Sequence, residues 1–154
     1  MKVDASIRKI LGELHRKQII FEAETLAAVV AFMLWVSRCE SRRCILFVDN
    51  EGSKFSLLRG LSDNSVVDFL AEKFVEMEAS VHTFTWLARV PSNCNVADAP
   101  SRGDVSGRLL CDAVDVSAET EKLMETLASQ LLKLGKTGCD AFPASKKMRV
   151  SAVT

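Results

Sequence analysis

Three carboxylates in this chain stand where ion chemistry would want them. The run Cys44-Ile45-Leu46-Phe47-Val48 is apolar and β-prone, and it ends abruptly in Asp49 and Asn50. A buried strand that delivers an acid at its C-terminal tip is a common way to charge the mouth of an α/β sheet. Glu24 lies in the helical stretch before that strand, and Asp98 follows a second strand-like run, Val81 to Val90. Gathered at one sheet edge, the three acids would offer hard oxygen ligands to Mg²⁺ or Mn²⁺. Each also has a plainer role. Glu24 can face a helix dipole, with Glu22 as its neighbour in the same turn; Asp49 can cap the next helix; Asp98 can be a turn acid.

The elements that would position these acids are legible from periodicity. Residues 5–16 have a helical pattern, with Ile7, Ile10, Leu11 and Leu14 on one face, Arg8, Lys9, Glu13 and Arg16 opposite, and Asp4 as cap. Residues 17–21 form a short connection or a brief strand. A second helix, rich in Ala, Leu and Met, runs from Glu22 to about Arg38. The first strand occupies 44–49. Asn50-Glu51-Gly52-Ser53 looks like a helix start, Lys54 to Arg59 is a short helix closed by Gly60, and Ser62 to Ser65 is a loop and cap cluster. Val66 to Ala79 is amphipathic, with Val66, Phe69, Leu70, Phe74 and Met77 inward. The second strand, 81–90, puts Phe84, Trp86, Ala88 and Val90 on one side and Thr83, Thr85 and Leu87 on the other. Its aromatic residues read as core. Val96 to Arg102 is a short turn holding Asp98. A last amphipathic helix spans 117–134, capped by Ser117, striped by Leu123, Leu127, Leu131 and Leu134, and ended by Gly135. Residues 140–154 are small and basic, which predicts disorder.

This order predicts an α/β fold in which two parallel strands, 44–49 and 81–90, are joined through helices by a crossover. The chain divides into an N-terminal helix (1–17), an α/β core (18–104), a C-terminal helix region (105–139) and a basic tail (140–154).

Bulk composition bounds the class. The 154 residues suit one domain, and 48% apolar content is ample for a core. Zero formal net charge argues against a strongly nucleic-acid-steering surface while leaving room for local basic patches. Five cysteines without a CxxC pair read as reduced, buried thiols of an intracellular protein in the cytoplasm or nucleus. The start lacks a signal-peptide pattern, and the longest apolar run, Leu26 to Val36, is too short to span a bilayer, so no membrane partner is expected.

Three segments then acquire a shared meaning. Ile20-Phe21-Glu22-Ala23-Glu24-Thr25-Leu26-Ala27, Leu46-Phe47-Val48-Asp49-Asn50-Glu51 and the long motif Trp86 to Arg102, with Arg89-Val90-Pro91-Ser92 and Asn95-Val96-Ala97-Asp98-Ala99-Pro100-Ser101-Arg102, resemble the ribonuclease H domain of reverse-transcriptase retroelements. The likeness covers about residues 18–104. It implies an RNase H-like, five-stranded mixed sheet and a two-metal endonuclease that cuts the RNA strand of RNA–DNA hybrids. Of the family's four acids, Glu24 matches the helix acid, Asp49 the fourth-strand acid and Asp98 the last. Asn50, Arg89 and Arg102 are the implied nucleic-acid contacts.

The departures shape the expectation. The first-strand acid has no clear counterpart. Only 19 residues separate Asp4 from Glu24, and three strands with their turns need about 25–30. Asp4 therefore reads as a helix cap, and the three leading antiparallel strands are expected upstream of this chain or lost. No His follows the last strand to shuttle protons. With three acids of four, the resemblance implies weak or absent hydrolysis. Expected partners are an RNA–DNA hybrid or other nucleic acid, an upstream reverse transcriptase domain, or a second copy that pairs with an unpaired strand edge. The alternatives are a non-catalytic binding or assembly module and a decayed remnant.

Overall fold

The structure, a computed structural model, describes residues 20–101 and 116–137. Their order is helix α1 (Ile20–Trp35) with a 3₁₀ turn (Val36–Cys39), strand β1 (Arg43–Val48), helix α2 (Glu51–Arg59), helix α3 (Ser65–Ser80), strand β2 (Phe84–Arg89), a 3₁₀ turn (Ser92–Cys94), the short helix α4 (Asp98–Ser101), and helix α5 (Ser117–Thr137). The class is mixed α/β, with β1 and β2 parallel as expected. The N-terminal segment 1–19, residues 102–115 with Arg102, and the basic tail lie outside the described residues.

Helix ends follow local chemistry. Asn50 takes an extended conformation and accepts from the Ser53 N–H, starting α2; Gly60 ends it at φ 65°, in the left-handed region glycine favours. Asn64 accepts from the Val66 and Val67 N–H groups and starts α3. The second strand is shorter than its pattern suggests. Val81 closes α3, and His82 sits at φ 51°, so pairing begins only at Phe84. The last helix continues through Gly135 to Thr137 and does not stop there.

The core lies between α1, α3 and one face of the sheet. Val29, Val67, Leu70, Ala71 and Phe74 are buried, with Leu57 from α2 and Val48 and Leu87 from the strands. The Phe32 and Phe74 rings meet at 4.8 Å, tilted by 53°, an arrangement that suits the aromatic quadrupole. Met124 and Leu127 of α5 complete this cluster. With its 3₁₀ turn, α1 is by length and composition apolar enough to cross a membrane, longer than the Leu26–Val36 run suggested. Leu26, Val29, Val30 and Phe32 are buried against protein here, which is the other cause of such composition.

Two sequence expectations are corrected. Phe84 and Trp86 are not core residues: each is 63% exposed, because the helices cover the opposite face of the sheet. The cysteines are not uniformly buried either. Cys94 is exposed, while Cys39 and Cys44 are half-buried. Desolvation raises the Cys39 thiol pKa, reinforced by the neighbouring Cys44 and opposed by Arg42.

Glu22, with no site role in the sequence, is 5% exposed. Its Oε1 accepts from Asn64 Nδ2 at 2.6 Å, while Asn64 Oδ1 caps α3. One amide thus satisfies a buried carboxylate and two helix N–H groups. Replacing Asn64 by Ala should cost about 2–4 kcal/mol, more than an ordinary cap, because the carboxylate is left buried without its donor. Urea denaturation measures this, and Glu22→Leu in the Asn64→Ala background should recover the carboxylate's share.

Candidate functional site at the sheet edge

The N-terminal turn of α1 lies beside the turn that follows β1. Asn50 Nδ2 donates to Glu24 Oε2 at 2.5 Å, and the Thr25 and Ser53 hydroxyls share a buried hydrogen bond of 2.9 Å. The Thr25 hydroxyl also reaches the Phe21 carbonyl at 2.8 Å. This closeness explains a glycine in the first turn of α2. A Cβ on Gly52 would lie 3.1 Å from Asn50 Oδ1 and 3.2 Å from the Phe21 ring.

The second link crosses the sheet. The Val90 N–H donates to the Val48 carbonyl at 3.1 Å, which sets the two strand tips side by side. Asp49 follows β1 directly, and its Oδ2 accepts from Asn95 Nδ2 at 3.3 Å. Asn95 then organises the turn carrying the third acid. Its Oδ1 accepts from the Ala97 N–H at 3.1 Å, and its carbonyl accepts from the Asp98 N–H at 3.1 Å. Glu24, Asp49 and Asp98, each half-buried, therefore belong to one chain of contacts along the C-terminal edge of the sheet, relayed by Asn50 and Asn95.

Asn50 is turned inward: its amide spans Glu24 and the N-terminus of α2. Arg89, the last residue of β2, is exposed beside this edge. Arg102 lies outside the described residues. The sequence placed Asn95 only within the long motif and Ser53 only at a helix start, with a site role for neither. Asn95 sits in a loop where asparagine is ordinary, and Ser53 is a small residue in a helix; only the fold gives either a partner. The Pro91-Ser92-Asn93-Cys94-Asn95 break was the available signal, since a turn there must return the chain towards Asp49.

The donor set suits a hard cation in chemistry but not in arrangement. Among the described residues, no group of three or more His, Cys, Asp and Glu side chains is placed to hold a metal ion. Two of the acids accept from side-chain amides. No hydrolytic step through Mg²⁺ follows from this geometry.

No family model, curated protein or solved structure matches the chain. The site rests on its own geometry, which a single substitution tests. Asn50→Asp keeps a good helix cap but replaces the donor to Glu24 with a second carboxylate. It should cost about 1–2 kcal/mol at neutral pH. Like-charge repulsion raises the folded-state pKa of the pair, so the deficit should shrink as pH falls through the carboxylate range. Asn50→Ala, which loses the donor to Glu24 but adds no charge, should recover less. Urea denaturation at neutral and mildly acidic pH distinguishes the two.

Proposed function

We propose that this chain carries the acid-bearing part of an RNase H-like domain of retroelement origin, and that as it stands it does not turn over RNA–DNA hybrids. The observation that carries the reading is the pair of asparagine links. They link the three motif-bearing segments, distant in sequence, along one sheet edge, and that proximity supports the reading. Sequence order alone would not require Glu24, Asp49 and Asp98 to share an edge.

The same links support the non-cutting part. An amide that donates to a carboxylate stabilises that carboxylate in the absence of an ion, and a metal would have to displace it. Octahedral Mg²⁺ demands close oxygen ligands in fixed directions, and hydrolysis by two ions requires a bridging acid shared between them. The acid that the resemblance assigns to the first strand has no counterpart in the matched stretch. Arg89 would supply a phosphate contact at this edge, a positioning role that carries no sequence information. Discrimination of RNA from DNA would come through the 2′-OH.

A second reading, an assembly module, is favoured by the strand edges. Glu78 Oε1 accepts from the Thr85 N–H at 2.8 Å, which blunts the outer edge of β2. Phe84 and Val90 donate towards β1, so Arg43, Ile45 and Phe47 alternate outward on the far edge of β1. That edge is where a strand from a second copy or from a reverse transcriptase domain would add.

The decisive assay incubates the chain with a labelled RNA–DNA hybrid in Mg²⁺ or Mn²⁺. The expected result is no cleavage above that of Asp49→Asn. Robust cleavage lost in Asp49→Asn would overturn the non-cutting reading. Millimolar Mg²⁺ should leave the Tm unchanged, since an ion without a formed site adds no binding term. Size-exclusion chromatography tests the assembly reading: a dimer supports it, and a clean monomer with a sharp thermal transition counts against it.

A further inference from the structure

Among the described residues nothing covers one face of the sheet, and that face is a block of large apolar side chains. The register pairs Arg43 with Phe84, Ile45 with Trp86 and Phe47 with Ala88, and all six lie on the side away from the helices. Ile45, Phe47, Phe84 and Trp86 are each exposed to 62–63%. Isolated exposed apolar residues are ordinary, but a contiguous cross-strand block is not. Parallel strands have a further constraint, since parallel sheets are almost always covered on both faces.

We infer that this face is covered by residues 5–16 of the same chain, docked as an amphipathic helix. Ile7, Ile10, Leu11 and Leu14 recur at helical spacing and give the segment one apolar stripe, with Arg8, Lys9, Glu13 and Arg16 left for solvent. The dimensions agree. Twelve helical residues span about 18 Å, and strands of six residues span about 20 Å. Two strands present a strip about 10 Å wide, the diameter of one helix.

The tether also reaches. Phe21 against Gly52 and Glu24 on Asn50 place the start of α1 at the C-terminal tip of β1. From Arg16 to Ile20 the chain extends up to about 14 Å, enough to pass that tip into the layer behind the sheet. Docking within one chain carries a high effective concentration. A second copy fits less well. The strip has a footprint of about 200 Å², far below the roughly 800 Å² per partner of a standard interface. The inference does not depend on the nuclease reading.

Trp86 reports on the face directly. The chain has two tryptophans, so Trp35→Phe leaves Trp86 as the sole emitter. The full chain with W35F should show blue-shifted emission and low acrylamide quenching, both independent of protein concentration. Adding Leu11→Asp and Leu14→Asp should move the emission to the red and raise quenching severalfold. Retained cooperative urea unfolding shows that the α1–β2 core is intact in that variant; if cooperativity is lost, Leu14→Ser gives the milder version of the same readout. Emission that is red and freely quenched before the charges are introduced overturns the inference. So does shielding that survives them: if it depends on concentration, a second copy covers the face, and if not, another segment does.

Discussion

The approach of α1 to the turn after β1 is the constraint on which the rest of the structure depends. It is made by contacts that require one another. Asn50 can donate to Glu24 only because its amide oxygen is already directed at the Ser53 N–H. Ser53 can meet Thr25 only because α2 begins there, and the helices come this close only because residue 52 has no side chain. The consequence reaches beyond the corner. It fixes the depth of α1 over the sheet, so that Val29, Val30 and Phe32 meet α3, and it fixes which oxygens stand at the sheet edge.

In the proposed reading, that arrangement carries a functional cost. A carboxylate stabilised by a neighbouring amide is well satisfied without a cation. Packed acids awaiting an ion would instead repel one another, and metal binding would relieve the repulsion. Here the neutral donors Asn50 and Asn95 take part of the role an ion would play for Glu24 and Asp49. An edge built in this way links the motif-bearing segments while giving a metal less to gain, which is why their common placement and the proposed lack of turnover belong to one reading.

What the sequence revealed depended on how local each cause is. The Asn50 start and Gly60 stop of α2 follow from dihedral preference and nearby N–H groups, and both were legible. So was the inward set Val66, Phe69, Leu70 and Phe74, because helical period identifies a face. Period also sorted β2 correctly into two sides. It could not say which side the helices would cover, and so Phe84 and Trp86 were assigned to the core on their chemistry alone. Glu22 was passed over because its partner, Asn64, lies 42 residues away, a pairing that no periodicity encodes. The role of Asn95, quoted only as part of the long motif, escaped for the same reason: its meaning comes from Asp49, which follows the neighbouring strand.

The sheet itself shows why chemistry misled there. The side facing the helices carries Leu46, Val48, Thr85 and Leu87, while the side facing away carries Ile45, Phe47, Phe84 and Trp86. The bulkier half of the apolar volume thus lies away from α1 and α3. A strand selected for one buried face would alternate apolar with polar residues, but β1 is apolar from Cys44 through Val48 without a break. Unbroken runs mark strands buried on both sides. The helical layer accounts for the small residues and for the two strand tips; the aromatic residues and Ile45 require a layer of their own. A two-stranded sheet is marginal without such cover, since too few cross-strand contacts offset the entropy of ordering it. The stability of the acid-bearing edge is therefore coupled to whatever packs on the far face, because β1 carries both: Asp49 at its tip, and Ile45 and Phe47 on its back.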